Sequence, residues 1–341
     1  MVVVPVSEAR AISEQALAHA GVPAAHAALQ TDLWLDAELR GIASHGLLRL
    51  ERIVQRIEAG LCAPAASGHH AWRGDAFLHV DGAAGLGPVV ANHALDAISA
   101  RARQTGVAVA AIANSQHIGM LAWYAERIAR GGQAAIVLST SEALVHPWGG
   151  RQALLGTNPI SIGVPTGEAE PFVMDTATSI VSMGEIHDRA WRGEPLPPGW
   201  ALDEQGRTTT NAEDAKRGAI APFGQAKGYA LGLAFELLVS SLTGTALGRD
   251  VRGTLDAQWP ANKGDVFIVL DNASTAGLSR YLDVLRQTDP AEGFDNVLIP
   301  GERGRALKAT RLRDGLPVAD AVWNRLNGLA AGTALPSRMS S

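Results

Sequence analysis

Cysteine is all but missing from this chain. The one residue, Cys62 in a chain of 341, can close no internal disulfide and supply no cysteine zinc cluster, so the sequence suits a reducing cytoplasm and implies no metal site. No run approaches the roughly 18 apolar residues of a membrane span. The apolar start Met1-Val2-Val3-Val4-Pro5 is short, has no leading Lys or Arg and gives way at once to Ser7-Glu8, so it reads as neither signal peptide nor anchor. Neither charge is in large excess: 34 acidic against 29 basic residues leave a formal net charge of −5, no field to draw nucleic acid or an anionic membrane. Nothing repeats at solenoid period, and no segment is of low complexity. No histidine pair shows H-x-x-x-H or H-E-x-x-H spacing.

What remains is an ordinary globular composition, 47% hydrophobic and 18% charged, in a chain long enough for two packed units. The first sixty residues read as three helices separated by Gly21 and Gly41, with Pro23 suited to a first turn and Gly60 to an end. From about Trp72 the texture changes to short β-branched runs alternating with helical patterns, which predicts α/β architecture. Strands are expected at 77–81, 107–113, 134–140, 160–164, 172–175 and 266–271, and helices at 88–105, 120–130, 225–242 and 278–286. The polar stretch 203–217 reads as a surface excursion, and the tail from Gly332 to Ser341 as fraying.

The most informative stretch is Ser44-His45-Gly46-Leu47-Leu48-Arg49. Read as the first turn of an amphipathic helix, Ser44 caps exposed N–H groups, and His45 and Arg49, at i and i+4, address one anionic ligand. Leu47, Leu50, Val54 and Ile57 form the apolar stripe, leaving Arg52 and Arg56 to solvent. Asn114 to Gly119 carries His117 at the carboxyl end of a strand, where ligands of α/β sheets collect. A lone turn histidine is more often structural, but small polar neighbours favour a functional one. Gly82-Ala83-Ala84-Gly85-Leu86-Gly87 orders its glycines differently from the dinucleotide fingerprint and leads into Pro88, so it reads as a turn before a helix. Gly156-Thr157-Asn158-Pro159 reads as a tight turn with two hydrogen-bonding side chains. Asp175, at a strand end before three hydroxyl residues, suits either a helix cap or the orienting of an imidazole. Lys227 at a helix start calls for an anionic partner or simply reaches to water. Arg303 follows a Pro-Gly turn, within reach of an anion.

Taken in order, Arg40-Gly41-Ile42, Ser44-His45-Gly46 with Arg49, Asn114 to Gly119, Gly156 to Pro159, Asp175 to Ser179, Lys227-Gly228 and Pro300-Gly301-Glu302 resemble the malate/L-lactate dehydrogenase family of NAD(P)-dependent oxidoreductases. That family includes ureidoglycolate and sulfolactate dehydrogenases and reductases of piperideine- and pyrroline-2-carboxylate, and is unrelated to the Rossmann-type enzymes. The resemblance spans Ser7 to Arg303. It implies an α+β fold: a helical domain from both chain ends (1–70 plus 303–335) beside a non-Rossmann cofactor domain (71–302) on a mixed, largely antiparallel sheet. It also implies a homodimer with a shared active-site cleft. Carried over, it makes His45 or His117 the acid/base with Ser44 and Asp175 as orienting partners. Arg49, Thr157 and Asn158 fall to a small carboxylate substrate. His117, Ile118, Gly119, Met120, Leu121, Ser141, Asp175, Thr176, Lys227 and Arg303 fall to NAD or NADP. Ile118, where many members have an aromatic residue, and Met120-Leu121-Ala122-Trp123 depart from the family pattern beside the pocket.

The chemistry expected is hydride transfer between nicotinamide and a 2-hydroxy or 2-oxo acid, with an imidazole moving the proton. The alternative within the class is reduction of a cyclic imino acid. A non-catalytic metabolite-binding protein would keep the scaffold without turnover. A serine hydrolase built on Ser44 lacks a nucleophile elbow.

Overall fold

The computed structural model describes residues 1–332; residues 333–341, with most of the expected frayed tail and the end of the 303–335 segment, lie outside them. Strand β1 (Val2–Val4) leads into helices α1 (Val6–His19), α2 (Ala24–Leu39) and α3 (Arg49–Glu58). Then come β2 (His69–Arg73), β3 (Phe77–Asp81), α4 (Gly87–Thr105), β4 (Val107–Ala113), α5 (Ala122–Arg130), β5 (Ala134–Ser139), β6 (Ile160–Val164) and β7 (Phe172–Thr176). A smaller lobe holds α6 (Met183–Arg192), β8 (Ala201–Leu202), β9 (Thr208–Thr209), α7 (Ala212–Arg217) and β10 (Ala219–Ile220). The chain ends through α8 (Ala226–Thr243), β11 (Asp265–Leu270), α9 (Leu278–Arg286), α10 (Glu302–Asp314), β12 (Leu316–Val318) and α11 (Asp320–Ala330).

The main sheet runs β2-β3-β4-β11-β5-β6-β7, and only β3 and β4 pair in parallel. It is therefore the mixed, largely antiparallel sheet expected. Strand β11 arrives last of the seven yet lies at the centre, because its run Val266-Phe267-Ile268-Val269 is apolar on both faces, and Val266, Phe267 and Val269 have no exposed surface. One face shares a core with α4, α5 and the helices of the N-terminal segment; Leu33, Leu47, Leu95, Val137 and Phe267 all belong to that cluster. The other face is covered by α8 through Val239 against Leu138 and Val266. Both chain ends meet where β1 pairs antiparallel with β12.

Two expectations need correction here. The 203–217 stretch is not a bare excursion: β9 joins a three-stranded sheet, and α7 buries Ala212 and Ala215. Arg56 is not solvated but only 1% exposed. Its Nε donates to Gln116 Oε1 at 2.5 Å, and its Nη1 to the carbonyls of Asp256 and Trp259. No helix among the described residues is long and apolar enough to cross a membrane.

Candidate active site

Register alone collects the site at one end of the sheet. Asp265 opens β11 opposite Ile112 of β4 and Ser139 of β5, while Leu138 faces Ile160, which faces Thr176 of β7. The loops carrying His117, Ser141, Thr157, Thr176 and Lys263 thus leave the same edge, where strand-end clefts form.

The His45 turn reaches that edge from the helical layer. Ala43–His45 is a single 3-10 turn, and α3 begins only at Arg49. Ser44 therefore caps no helix; its Oγ hydrogen-bonds the Nδ1 of His45 at 2.9 Å. Arg49 binds back to the turn, its Nε donating to the Ser44 carbonyl at 2.8 Å. Gly46 is required because the buried Glu38 carboxyl fills the space a side chain would take, its Oε1 accepting the Leu47 N–H at 2.9 Å. Gly184, opening α6, lies against Ser44 and closes the far side.

His117 is held from behind. Gln116 donates to the Leu61 and Ala84 carbonyls while accepting from Arg56. Ser115 Oγ donates to Asp265 at 3.4 Å. Gly119, at φ +76° with Leu33 filling its side-chain space, turns its N–H onto His117 Nδ1 at 3.0 Å. The two imidazoles stand with centroids 5.3 Å apart, tilted by 40°. Burial pushes the His45 ring down to about 3, with the Arg49 charge adding to it. Burial, then Arg49, His45 and Lys263, hold His117 well below its ordinary value. Both effects favour the uncharged rings.

Among the described residues no carboxylate forms an ion pair with Arg49. Besides Ser44 it reaches only the Thr254 carbonyl at 3.5 Å, leaving guanidinium N–H groups for an anionic ligand. Asp175 is bonded to neither imidazole: its Oδ2 accepts the Ala122 N–H at 2.7 Å, at the start of α5. Asn158 is fully buried, its Nδ2 bonded to Glu236 at 2.7 Å and the Gly232 carbonyl at 3.1 Å, so it braces α8. Ile118, Met120 and Leu121 are buried too, which leaves their backbone, not their side chains, for a cofactor.

Elsewhere along this edge the hydroxyls of Ser141 and Thr157 pair at 3.2 Å. Thr176 is exposed. Lys227 opens α8 and Arg303 opens α10, both exposed and in no ion pair with a described residue. Exposed hydroxyls and exposed cations at helix starts are the groups that suit the riboses and phosphates of a dinucleotide. Sequence reasoning missed Glu38, Gln116, Lys263 and Asp265. The signal for the last two was Lys-Gly-Asp leading an apolar strand, two charges on one face with no solvent-facing strand to carry them.

Glu38 gives a stability test. Burial lifts its carboxyl to about 7, opposed by the Leu47 N–H and Arg311. The folded state then binds this proton more tightly than the unfolded one, so its stabilisation is full below pH 4.5 and lost as pH rises through 7. Urea unfolding from pH 5 to 8 should therefore show wild type losing up to roughly 3 kcal/mol relative to Glu38→Gln; parallel curves would contradict the assignment.

The malate/L-lactate dehydrogenase family profile matches residues 4–327. The chain is 33% identical over 333 residues to the L-sulfolactate dehydrogenase of Methanocaldococcus jannaschii, covering 96% of this chain and 95% of that one. It is 31% identical to a Delta(1)-pyrroline-2-carboxylate/Delta(1)-piperideine-2-carboxylate reductase of Pseudomonas aeruginosa, covering 96% and 99%. The crystal structure of a dehydrogenase from Sinorhizobium meliloti superposes with a TM-score of 0.93 at 50% identity, covering 96% of this chain and 98% of that one.

Proposed function

Because the chain belongs to the malate/L-lactate dehydrogenase family, we propose that it transfers hydride between NAD or NADP and a small 2-hydroxy or 2-oxo carboxylic acid. The observation that carries this reading is the facing imidazole pair with, at its edge, a guanidinium that forms no direct ion pair with a described residue. Arg49 takes the substrate carboxylate and fixes which face of C2 is presented. When bound, the nicotinamide would supply the hydride acceptor or donor for C2 of the substrate. In oxidation the hydroxyl proton passes to an imidazole, and in reduction the imidazole gives it to the carbonyl oxygen. Neutral rings are ready for the first direction; anion binding on Arg49 offsets the charge that opposes their protonation for the second. Ser141, Thr176, Lys227 and Arg303 line the dinucleotide, and Thr157, paired with Ser141, falls to the substrate.

A second reading fits the same cleft: a cyclic imine that arrives protonated needs no proton from either ring, so reduction of a pyrroline- or piperideine-2-carboxylate makes the same demand on Arg49 and the cofactor. Initial rates with pyruvate-like acids, sulfopyruvate, oxaloacetate and piperideine-2-carboxylate, each with NADH and NADPH, test both. Oxidation of neither cofactor with any of them contradicts the reading.

The enzyme works as a homodimer. Helix α8 exposes Ala230, Leu231, Ala234, Leu237 and Leu238 as one uncharged stripe, with Leu237 52% accessible, and the sheet face beneath leaves Val109, Ile136, Ile160 and Ile268 only partly covered. A second copy on this stripe buries both. Light scattering should give twice the mass of the 35.6 kDa chain, and Leu231→Glu with Leu237→Glu should halve it; an unchanged mass in the double variant would place the interface elsewhere.

A further inference from the structure

The segment 253–259, on the approach to β11, has no regular secondary structure, yet side chains from several directions hold it. Glu142, next in sequence to Ser141, accepts the N–H groups of Thr254 and Leu255 on one oxygen, at 2.8 and 3.0 Å. Arg56 of α3 donates Nη1 to the carbonyls of Asp256 and Trp259, at 2.8 and 3.1 Å. Asp256 closes the turn from within, accepting the Gln258 and Trp259 N–H groups at 2.7 and 3.0 Å. Asn262 pins the base, accepting the Arg252 N–H at 2.7 Å and donating to the Asp250 carbonyl at 2.8 Å. An irregular segment tied at this many points keeps one shape, as a loop that carries function on a rigid scaffold must.

The Arg56 tie is a costly one. The side chain is 1% exposed and forms no ion pair with a described residue, and a guanidinium buried without a carboxylate is expensive to desolvate. The same group also donates to Gln116, the residue before His117, so it joins the segment to the His117 loop. On its other side the segment meets Arg49: the Thr254 carbonyl lies 3.5 Å from Nη1. Next to it, Leu255 leaves 44% of its surface exposed, hydrocarbon that the core does not use. In a 2-oxo acid, C3 lies two bonds from the carboxylate carbon. With that carboxylate on Arg49, the C3 substituent falls beside the segment that Arg49 touches.

We propose that residues 253–259 form the wall that limits the size of the substrate's C3 substituent, with Leu255 the specificity-determining residue and Glu142 and Arg56 positioning residues. A leucine side chain offers no hydrogen bond, so the wall selects by volume. What is selected rests on the hydride-transfer reading; the strapping of the segment is a property of the free protein.

The test is kinetics with 2-oxo acids of rising chain length. Leu255→Ala should raise kcat/KM for 2-oxovalerate relative to pyruvate by at least about tenfold and Leu255→Trp should lower it as much, because one methylene in an apolar pocket is worth roughly 10- to 200-fold. Leu255 makes no side-chain hydrogen bond and is half exposed, so neither change threatens the fold. An unchanged ratio in both variants overturns the proposal. Should no acid be turned over, the hydride reading fails, and calorimetric Kd values for the same acids decide the wall by whether they follow residue 255. Glu142→Ala should raise KM for the acid by about tenfold or more at unchanged dinucleotide affinity. Glu142→Gln, whose amide oxygen still accepts both N–H groups, should recover most of that loss. A glutamine variant as impaired as the alanine one would make Glu142 a charge beside Arg49 and not a strap. Amide hydrogen exchange on the ligand-free protein gives the same answer without turnover: Thr254 and Leu255 should be protected in wild type and Glu142→Gln and exchange freely in Glu142→Ala. Equal exchange in all three would overturn the strap.

Discussion

His45→Ala is expected to lower kcat by roughly 100- to 10,000-fold while circular dichroism and thermal unfolding stay close to wild type. The ring sits on a one-turn segment, largely covered, and its only side-chain bond is to the Ser44 hydroxyl beside it. Removing it strands no buried partner, so the loss falls on chemistry and not on folding. His117→Ala should cost roughly 100- to 1,000-fold, the usual effect of deleting one donor to a developing oxyanion. Dinucleotide affinity should hold in both variants. Near-normal turnover in both would take the imidazoles out of the reaction.

Arg49→Met should act on a different constant. Truncating a charge that holds an anionic ligand in a partly buried site costs about 2 to 5 kcal/mol, or roughly 30-fold to several-thousand-fold in kcat/KM. Most of that should be a rise in KM. Arg49→Lys should recover part of it, because the charge returns without the planar fork. A signature separates this from simple loss of structure. Since the Arg49 charge helps to hold His45 down, its removal should move the acid limb of the pH profile upward. Equal kcat/KM values for Arg49→Met and wild type on every carboxylate would assign the guanidinium to the cofactor or to packing.

Local patterns carried far in this chain. Val107–Ala113, Phe77–Asp81, Ile160–Val164 and Leu278–Arg286 have the bounds their sequence predicts, because β-branched runs and 3.6-residue periodicity encode them directly. The order of the sheet was not legible, since nothing within β11 says that it inserts between β4 and β5. Ser44 was misread for a physical reason: Ser before an amphipathic run is the signature of a helix cap, but Gly46, Leu47 and Leu48 intervene before α3 begins, and the hydroxyl turns to His45. Arg56 was misread because its partners are Gln116 and the 256–259 loop, far along the chain; helical spacing assigns a face but not what covers it. Lys263 and Asp265 passed for a polar lead into a strand. The ordered family motifs did bring His45, Arg49 and His117 to notice, and those are the groups that face one another in space. What no side-chain pattern could show is the backbone around them, such as the Gly119 N–H on His117 Nδ1.

The central claim is that this cleft passes a hydride between a nicotinamide and C2 of a small carboxylic acid. Its most direct test is to incubate the enzyme with NADH or NADPH carrying deuterium at C4 and the 2-oxo or cyclic imino acid that supports turnover, and then to weigh the product. One deuterium at C2, on a single stereochemical face, is the result predicted. A product without label at C2, or no turnover with any of these acids, would contradict it.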